Sequence, residues 1–285
     1  FPLILLMEKL YFEIFNDNND LIKFDLRKKI YSQKSPLNII LHGFKAFRNW
    51  GFIPRMAEKL SEQSGPTINL DFSLNGVIDE GKMLYDNSKF RKNTISQELK
   101  DLNILLDYIK SNNFNINLSE CWNGEINLIG HSLGGAISII TAHERNDINK
   151  IILWNSISKS DRNTERQKKE WREKGYIEFT ESKSGQTLFL DVEYLEDKER
   201  NKKRFDLRGK ISELKIPICI IQGKLDLTVR YNEAEALEKS AVNSISLEAH
   251  YIEKCNHTFG VSNPFISTNE NLDYAINKTI EFINK

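Results

Sequence analysis

Cysteine is scarce in this 285-residue chain, and the three present, Cys121, Cys219 and Cys255, are odd in number and far apart. That spacing excludes a disulfide framework and a zinc-ligand set, and a reducing cytoplasm is the expected setting. Net charge is missing as well, because forty basic residues face forty acidic ones. No whole-chain field attracts nucleic acid or an anionic membrane, which leaves small neutral molecules as the expected partners. Long apolar runs are absent too. Phe1-Pro2-Leu3-Ile4-Leu5-Leu6-Met7 falls far short of the ~20 residues a membrane span needs, has no basic flank and lacks a small-residue cleavage pattern. Residues added ahead of a start at Met7, or an edge strand, suit it better than the tail of a trimmed signal peptide. No internal repeat is visible. At this length the chain can bury one large core, with room for an insertion.

What is present is a rhythm. Tyr11 to Phe15 and Leu21 to Ile30 flank the polar cluster Asn16-Asp17-Asn18-Asn19-Asp20 and read as an antiparallel hairpin. Short runs rich in isoleucine and leucine follow at Leu37 to Leu41, Thr67 to Leu70, Ile126 to Ile129, Ile151 to Trp154, Ile216 to Ile221 and Ser246 to Ile252. Such runs suit strands buried on both faces. Between them, Ile95, Leu99, Leu102, Leu105, Leu106 and Ile109 recur at helical spacing behind a Thr94–Gln97 capping box. Further helices are expected near Ile53 to Ser61, Leu133 to Glu144, Asn232 to Ser240 and Leu272 to Ile283. The alternation predicts an α/β fold with a doubly wound, mostly parallel sheet. Residues Ser158 to Arg208 break the rhythm with dense, balanced charge and no buried-strand run. They are expected to be a cap inserted into a core made of residues 1–157 and 209–285; a solvated surface excursion is the alternative.

Gly130-His131-Ser132-Leu133-Gly134-Gly135 follows one strand directly and opens a helix. That context is what G-x-S-x-G requires: a serine on a strained strand-to-helix turn, with glycines that let neighbouring chain come close. Serine needs a positioned base, normally a histidine held by a carboxylate. Of five histidines, His131 should point away from the serine hydroxyl. His42, His143 and His250 read as packing or surface residues. His257 follows the last strand in a polar loop and is placed to reach over the sheet edge. Asp226, in the loop after Ile216 to Ile221, is the matching acid; the alternative is that it only caps the helix beginning near Tyr231. The order Ser132, Asp226, His257 matches one of the three common triad orders. An oxyanion would be met by the backbone N–H of Leu133, at a helix start, and that of Phe44, after Gly43.

The pieces His42-Gly43-Phe44, Gly130 to Gly135, Gly223-Lys224-Leu225-Asp226-Leu227-Thr228-Val229 and His257-Thr258-Phe259 resemble α/β-hydrolase motifs, and the match runs from about Leu37 to the end. More narrowly the chain is similar to a bacterial branch described as dienelactone-hydrolase-like, acylaminoacyl-peptidase-like or cinnamoyl-esterase-like. Trp171, Gly175 and Gly185-Gln186 look like cap landmarks of that group, whereas Leu74 and Ile78 depart from its loop pattern. The expected function is therefore serine hydrolysis of small soluble carboxylic esters through an acyl-enzyme, with no metal and no organic cofactor. A peptidase using the same triad and a non-catalytic scaffold are the alternatives. The oligomeric state is left open.

Overall fold

The isoleucine- and leucine-rich runs form the centre of the fold in a computed structural model that describes residues 7–29, 33–111 and 118–285. Strands β1 (Glu8–Phe15) and β2 (Leu21–Lys28) make the expected hairpin. Ile30, the last residue of that predicted strand, and the opening apolar run as far as Leu6 lie outside the described residues. Then come β3 (Ser35–Leu41), helix α1 (Ile53–Gln63) and β4 (Thr67–Asp71), a small hairpin of β5 (Val77–Asp79) and β6 (Leu84–Tyr85), and helices α2 (Asn87–Phe90) and α3 (Ile95–Lys110). The elbow motif joins β7 (Trp122–His131) to α4 (Leu133–Glu144), and β8 (Lys150–Trp154) follows. After β8 lie α5 (Glu165–Lys174), β9 (Tyr176–Thr180), β10 (Thr187–Asp191), α6 (Glu193–Arg200) and α7 (Leu207–Glu213). The chain closes with β11 (Ile218–Gly223), α8 (Tyr231–Ser240), β12 (Leu247–Ile252) and α9 (Glu270–Ile283).

Eight strands share one sheet in the order β1-β2-β4-β3-β7-β8-β11-β12. Every pair from β4 through β12 is parallel, and β2 alone runs against its neighbours. Alternation along each strand divides the core, because successive side chains point to opposite faces. Ile39, Leu128, Ile151, Leu153, Ile218 and Ile220 pack beneath α3, α4, α7 and α8. Ile40, Ile129, Ile152, Trp154, Cys219 and Ile221 pack beneath α1 and α9. A run buried on both faces is therefore predominantly apolar, as in a parallel sheet covered by helices, with Asn38, Asn69 and Asn127 buried among the strands.

Two local readings change. Thr94 does cap α3, its hydroxyl accepting from the Gln97 amide at 3.0 Å, but the box is not closed. The Gln97 side chain instead donates to Asp101 at 2.8 Å, a buried carboxylate that also accepts from the Ser73 amide. Gln97 Oε1 accepts from Asn18 Nδ2 at 3.4 Å rather than from the Thr94 N–H. The stretch between β8 and β11 holds a β9–β10 hairpin, with Leu188 and Leu190 buried, where no buried strand was expected. Trp171 on α5 is buried against Leu190 and Leu195, and its indole N–H donates to the Leu190 carbonyl at 3.1 Å.

Candidate active site

All the singled-out groups sit on loops leaving the carboxyl ends of neighbouring parallel strands, where open α/β sheets place their ligands. Ser132 joins β7 to α4 with φ 54° and ψ −114°, a left-handed conformation that non-glycine residues rarely adopt. Its amide donates to the Trp154 carbonyl at 2.9 Å, and its carbonyl accepts from Gly135. The flanking glycines are steric necessities. A Cβ at Gly130 would stand 2.3 Å from the Gly134 carbonyl oxygen, one at Gly134 2.2 Å from that of Leu41, and one at Gly135 2.2 Å from the Ser156 hydroxyl. Strand β3, the elbow and the first turn of α4 are thus in direct backbone contact.

Asp226 and His257 meet on the loops after β11 and β12, beyond β8 in the sheet. His257 Nδ1 lies 2.6 Å from Asp226 Oδ2. The other carboxylate oxygen accepts from the amides of Thr228 and Val229, both at 2.8 Å. Asp226 is buried, and the N-cap of helix α8 is Arg230, with no side-chain cap bond. The helix-cap alternative for Asp226 is thereby set aside. Ser132, His257, Gly43 and Phe44 line one cavity of about 190 Å³, whose walls also include Trp50, Met83, Lys45 and Glu181. Glu181, in the β9–β10 turn, comes from the segment between β8 and β11 and pairs with Lys45 at 3.4 Å.

The amides of Phe44 and Leu133 have no hydrogen-bond acceptor among the described residues. The Gly43 turn presses on the elbow, since a Cβ there would be 3.0 Å from Ser132 Cβ. His42, read as a packing residue, does more. Its Nδ1 bonds the Gly43 carbonyl at 2.9 Å, and its Nε2 receives the Phe72 amide at 3.4 Å. Burial holds this ring below its ordinary pKa, so it is neutral, with the proton on Nδ1. The Phe44 ring packs as expected, against Phe90, Phe179 and Tyr194.

His131, expected to point away from the serine hydroxyl, lines the same cavity as Ser132. Its Nε2 bonds the His257 carbonyl at 3.0 Å, and burial, reinforced by the neighbouring His257 ring, pushes its pKa down to about 3. His143 pairs with Glu213 at the end of α4, and His250 lies in β12 beside Glu248. Asn155 is the residue that sequence reasoning missed: its side chain is buried among the loops that carry Asp226 and His257. The landmarks near Trp171 are structural. Gly175 ends α5 at φ 80°, and Gln186 clamps both backbone groups of Tyr85. Leu74 is buried and Ile78 exposed, and neither lines the cavity of Ser132. Among the described residues there is no cluster of side chains suited to a metal ion. None of the described helices is long and apolar enough to cross a membrane.

No protein-family model and no curated protein matches the chain. Solved structures do. Est1E from Butyrivibrio proteoclasticus superposes with a TM-score of 0.65 at 18% identity, covering 96% of this chain and 99% of that one. The esterase domain of a Rhodothermus marinus protein gives 0.64 at 14% identity over 96% and 97%. A dienelactone hydrolase from Anabaena variabilis gives 0.61 at 14% identity over 98% and 97%. With the strand order described above, these likenesses establish the α/β-hydrolase fold.

Proposed function

We propose that the protein is a serine hydrolase that cleaves carboxylic esters of small soluble molecules through an acyl-enzyme. The observation that carries this reading is the strained Ser132 sharing a cavity with His257, whose Nδ1 is bonded to a buried, fully satisfied carboxylate. Structural likeness to esterases supports it. His257 Nε2 takes the Ser132 hydroxyl proton as Oγ attacks the ester carbonyl. The amides of Leu133 and Phe44 receive the negative charge that develops on the carbonyl oxygen. Collapse of that intermediate breaks the ester bond, and His257 returns the proton to the departing alcohol. Water then attacks the acyl-serine, gives its proton to His257 and releases the acid. Asp226 fixes the ring tautomer through its bond to Nδ1 and stabilises the imidazolium. Residues 158–208 act as the cap, supplying Glu181 to the cavity wall. The substrate is a small molecule, and the setting is cytoplasmic.

The test is labelling by a fluorophosphonate together with turnover of p-nitrophenyl butyrate. Ser132→Ala should abolish the label and lower turnover by roughly a million-fold, the loss expected when a triad acts as a unit. Retention of a tenth of the wild-type rate rejects the reading.

A further inference from the structure

We infer that Asn155 is a positioning residue that holds the acid loop and the histidine loop in register; the inference rests on the Ser132–His257–Asp226 reading. Asn155 stands directly after β8, between the strand that leads to Ser132 and the strand that leads to Asp226. It is 0% exposed and has φ 44°. A buried amide is costly unless its donors and acceptor are used. Here they are all used, and each partner is backbone. Oδ1 accepts from the Gly223 amide at 2.8 Å, three residues before Asp226. Nδ2 donates to the His257 carbonyl at 2.9 Å and to that of Asn256 at 3.3 Å.

The sheet cannot supply this link. Its β11–β12 ladder ends at Gly223 opposite Ile252, so Asp226 and His257 both lie beyond the last rung. Two backbone bonds, Lys224 to Ile252 and Leu225 to Cys255, continue between the loops but stop short of His257. Only Asn155 and His131 reach the carbonyl of His257 itself among the described residues. Of these two, Asn155 alone also holds Gly223, the last residue of β11, from which the acid loop leaves. Asparagine suits the position because it tolerates left-handed backbone better than most residues and offers both donors and an acceptor. Aspartate lacks the donors, and alanine lacks both.

Loosening this brace leaves the cavity walls and the nucleophile in place while freeing the contact between Asp226 and His257. A misplacement of about 1 Å at such a site costs roughly a hundredfold in rate. Asn155→Ala should therefore lower kcat on p-nitrophenyl butyrate about a hundredfold with KM unchanged. Asn155→Gly, which accepts the left-handed backbone, and Asn155→Asp, which keeps the acceptor for Gly223, should show the same loss. They carry the test if the alanine variant does not fold. Fluorophosphonate titration counts folded active sites, so every rate is expressed per labelled serine. A folded variant with wild-type kcat, or one whose loss lies in KM rather than kcat, overturns the inference. A wild-type protein that takes no label overturns the triad reading instead, and the two failures are distinct.

Discussion

Gly134→Ala sets two physical effects of opposite sign against each other. Gly134 lies in the first turn of α4, and replacing a helical glycine by alanine ordinarily stabilises by about 1 kcal/mol. The structure predicts the reverse. A Cβ at Gly134 would stand 2.2 Å from the Leu41 carbonyl oxygen and 2.7 Å from that of His42, whereas ordinary contacts begin near 3.4 Å. Both obstacles are backbone, so no rotamer change relieves them and helix or strand must move by about 1 Å. Overpacking of this kind costs about 1–3 kcal/mol, and a clash with rigid main chain belongs at the upper end. The net loss of about 2 kcal/mol should lower Tm by about 4–8 °C. The displaced strand end is also the one that carries Gly43 and Phe44, so kcat/KM should fall about a hundredfold with the serine and histidine intact. The control is Gly81→Ala, where the nearest atom would lie at 3.5 Å and the backbone is not left-handed. Thermal melts and p-nitrophenyl butyrate kinetics on both variants settle it. A Gly134→Ala protein that melts higher than wild type, or keeps its kcat/KM, would refute the reasoning.

The double substitution His257→Ala with Asp226→Ala should cost little more in kcat than His257→Ala alone, because the pair acts as a unit; full multiplication of the two single losses means one is misassigned. His250→Ala, in β12 and absent from the cavity, should leave the rate unchanged. The cavity of about 190 Å³ lies below the roughly 300–1,000 Å³ typical of ligand pockets, so acetate or butyrate esters should exceed dodecanoate esters in kcat/KM. Interfacial activation or faster dodecanoate turnover would instead indicate a lipase. Glu98 is buried, its carboxyl pushed up to about 8 by burial, with one oxygen bonded to Asn93 and the other unpartnered. Between its ordinary value of 4.5 and about 8 the folded chain keeps a proton that the unfolded chain has lost, so this group makes stability fall as pH rises. Glu98→Gln should therefore stabilise the protein on the order of a few kcal/mol at pH 8 and scarcely at pH 4. Urea unfolding at both values measures the difference, and equal gains would contradict it.

The core was legible because burial on both faces makes the strand runs predominantly apolar. Ile151 to Trp154 is apolar throughout since Ile151 and Leu153 face one helical layer while Ile152 and Trp154 face the other. The insert was harder to read, because strands of five residues with one packed face carry only two or three apolar positions. Thr187-Leu188-Phe189-Leu190-Asp191 buries Leu188 and Leu190 at alternate positions, but its apolar run is only three residues long, inside a stretch whose charges dominate any window. Its small core of Trp171, Leu190 and Leu195 is assembled from three separate elements, and no local pattern announces that. Within the site, Ser132, Asp226 and His257 stood out through their places after strands. Asn155 and His42 did not, since Asn155 holds backbone groups of Gly223 and His257, and His42 that of Phe72, all distant in sequence.

Backbone strain gives a view of the site that owes nothing to side-chain chemistry. Seven described non-glycine residues have left-handed φ: Asn19, Lys45, Met83, Ser132, Asn155, Lys254 and Phe259. Asn19 sits in the β1–β2 turn, where asparagine adopts this conformation readily. Of the others, Lys45, Met83 and Ser132 line the cavity, Asn155 braces its histidine loop, and Lys254 and Phe259 belong to that loop. Each costs on the order of 1–3 kcal/mol and persists only where the surroundings overdetermine it. Those surroundings are visible: Phe259 is buried against Phe52 and Trp154, Met83 packs on Phe47 and Tyr85, and Lys45 has its carbonyl held by the Tyr85 hydroxyl at 2.7 Å. A fold with no use for this sheet edge could relax such positions by single substitutions to glycine or by longer loops. Instead, the strain gathers around one cavity, and the apolar core beneath it supplies the rigidity that keeps it there.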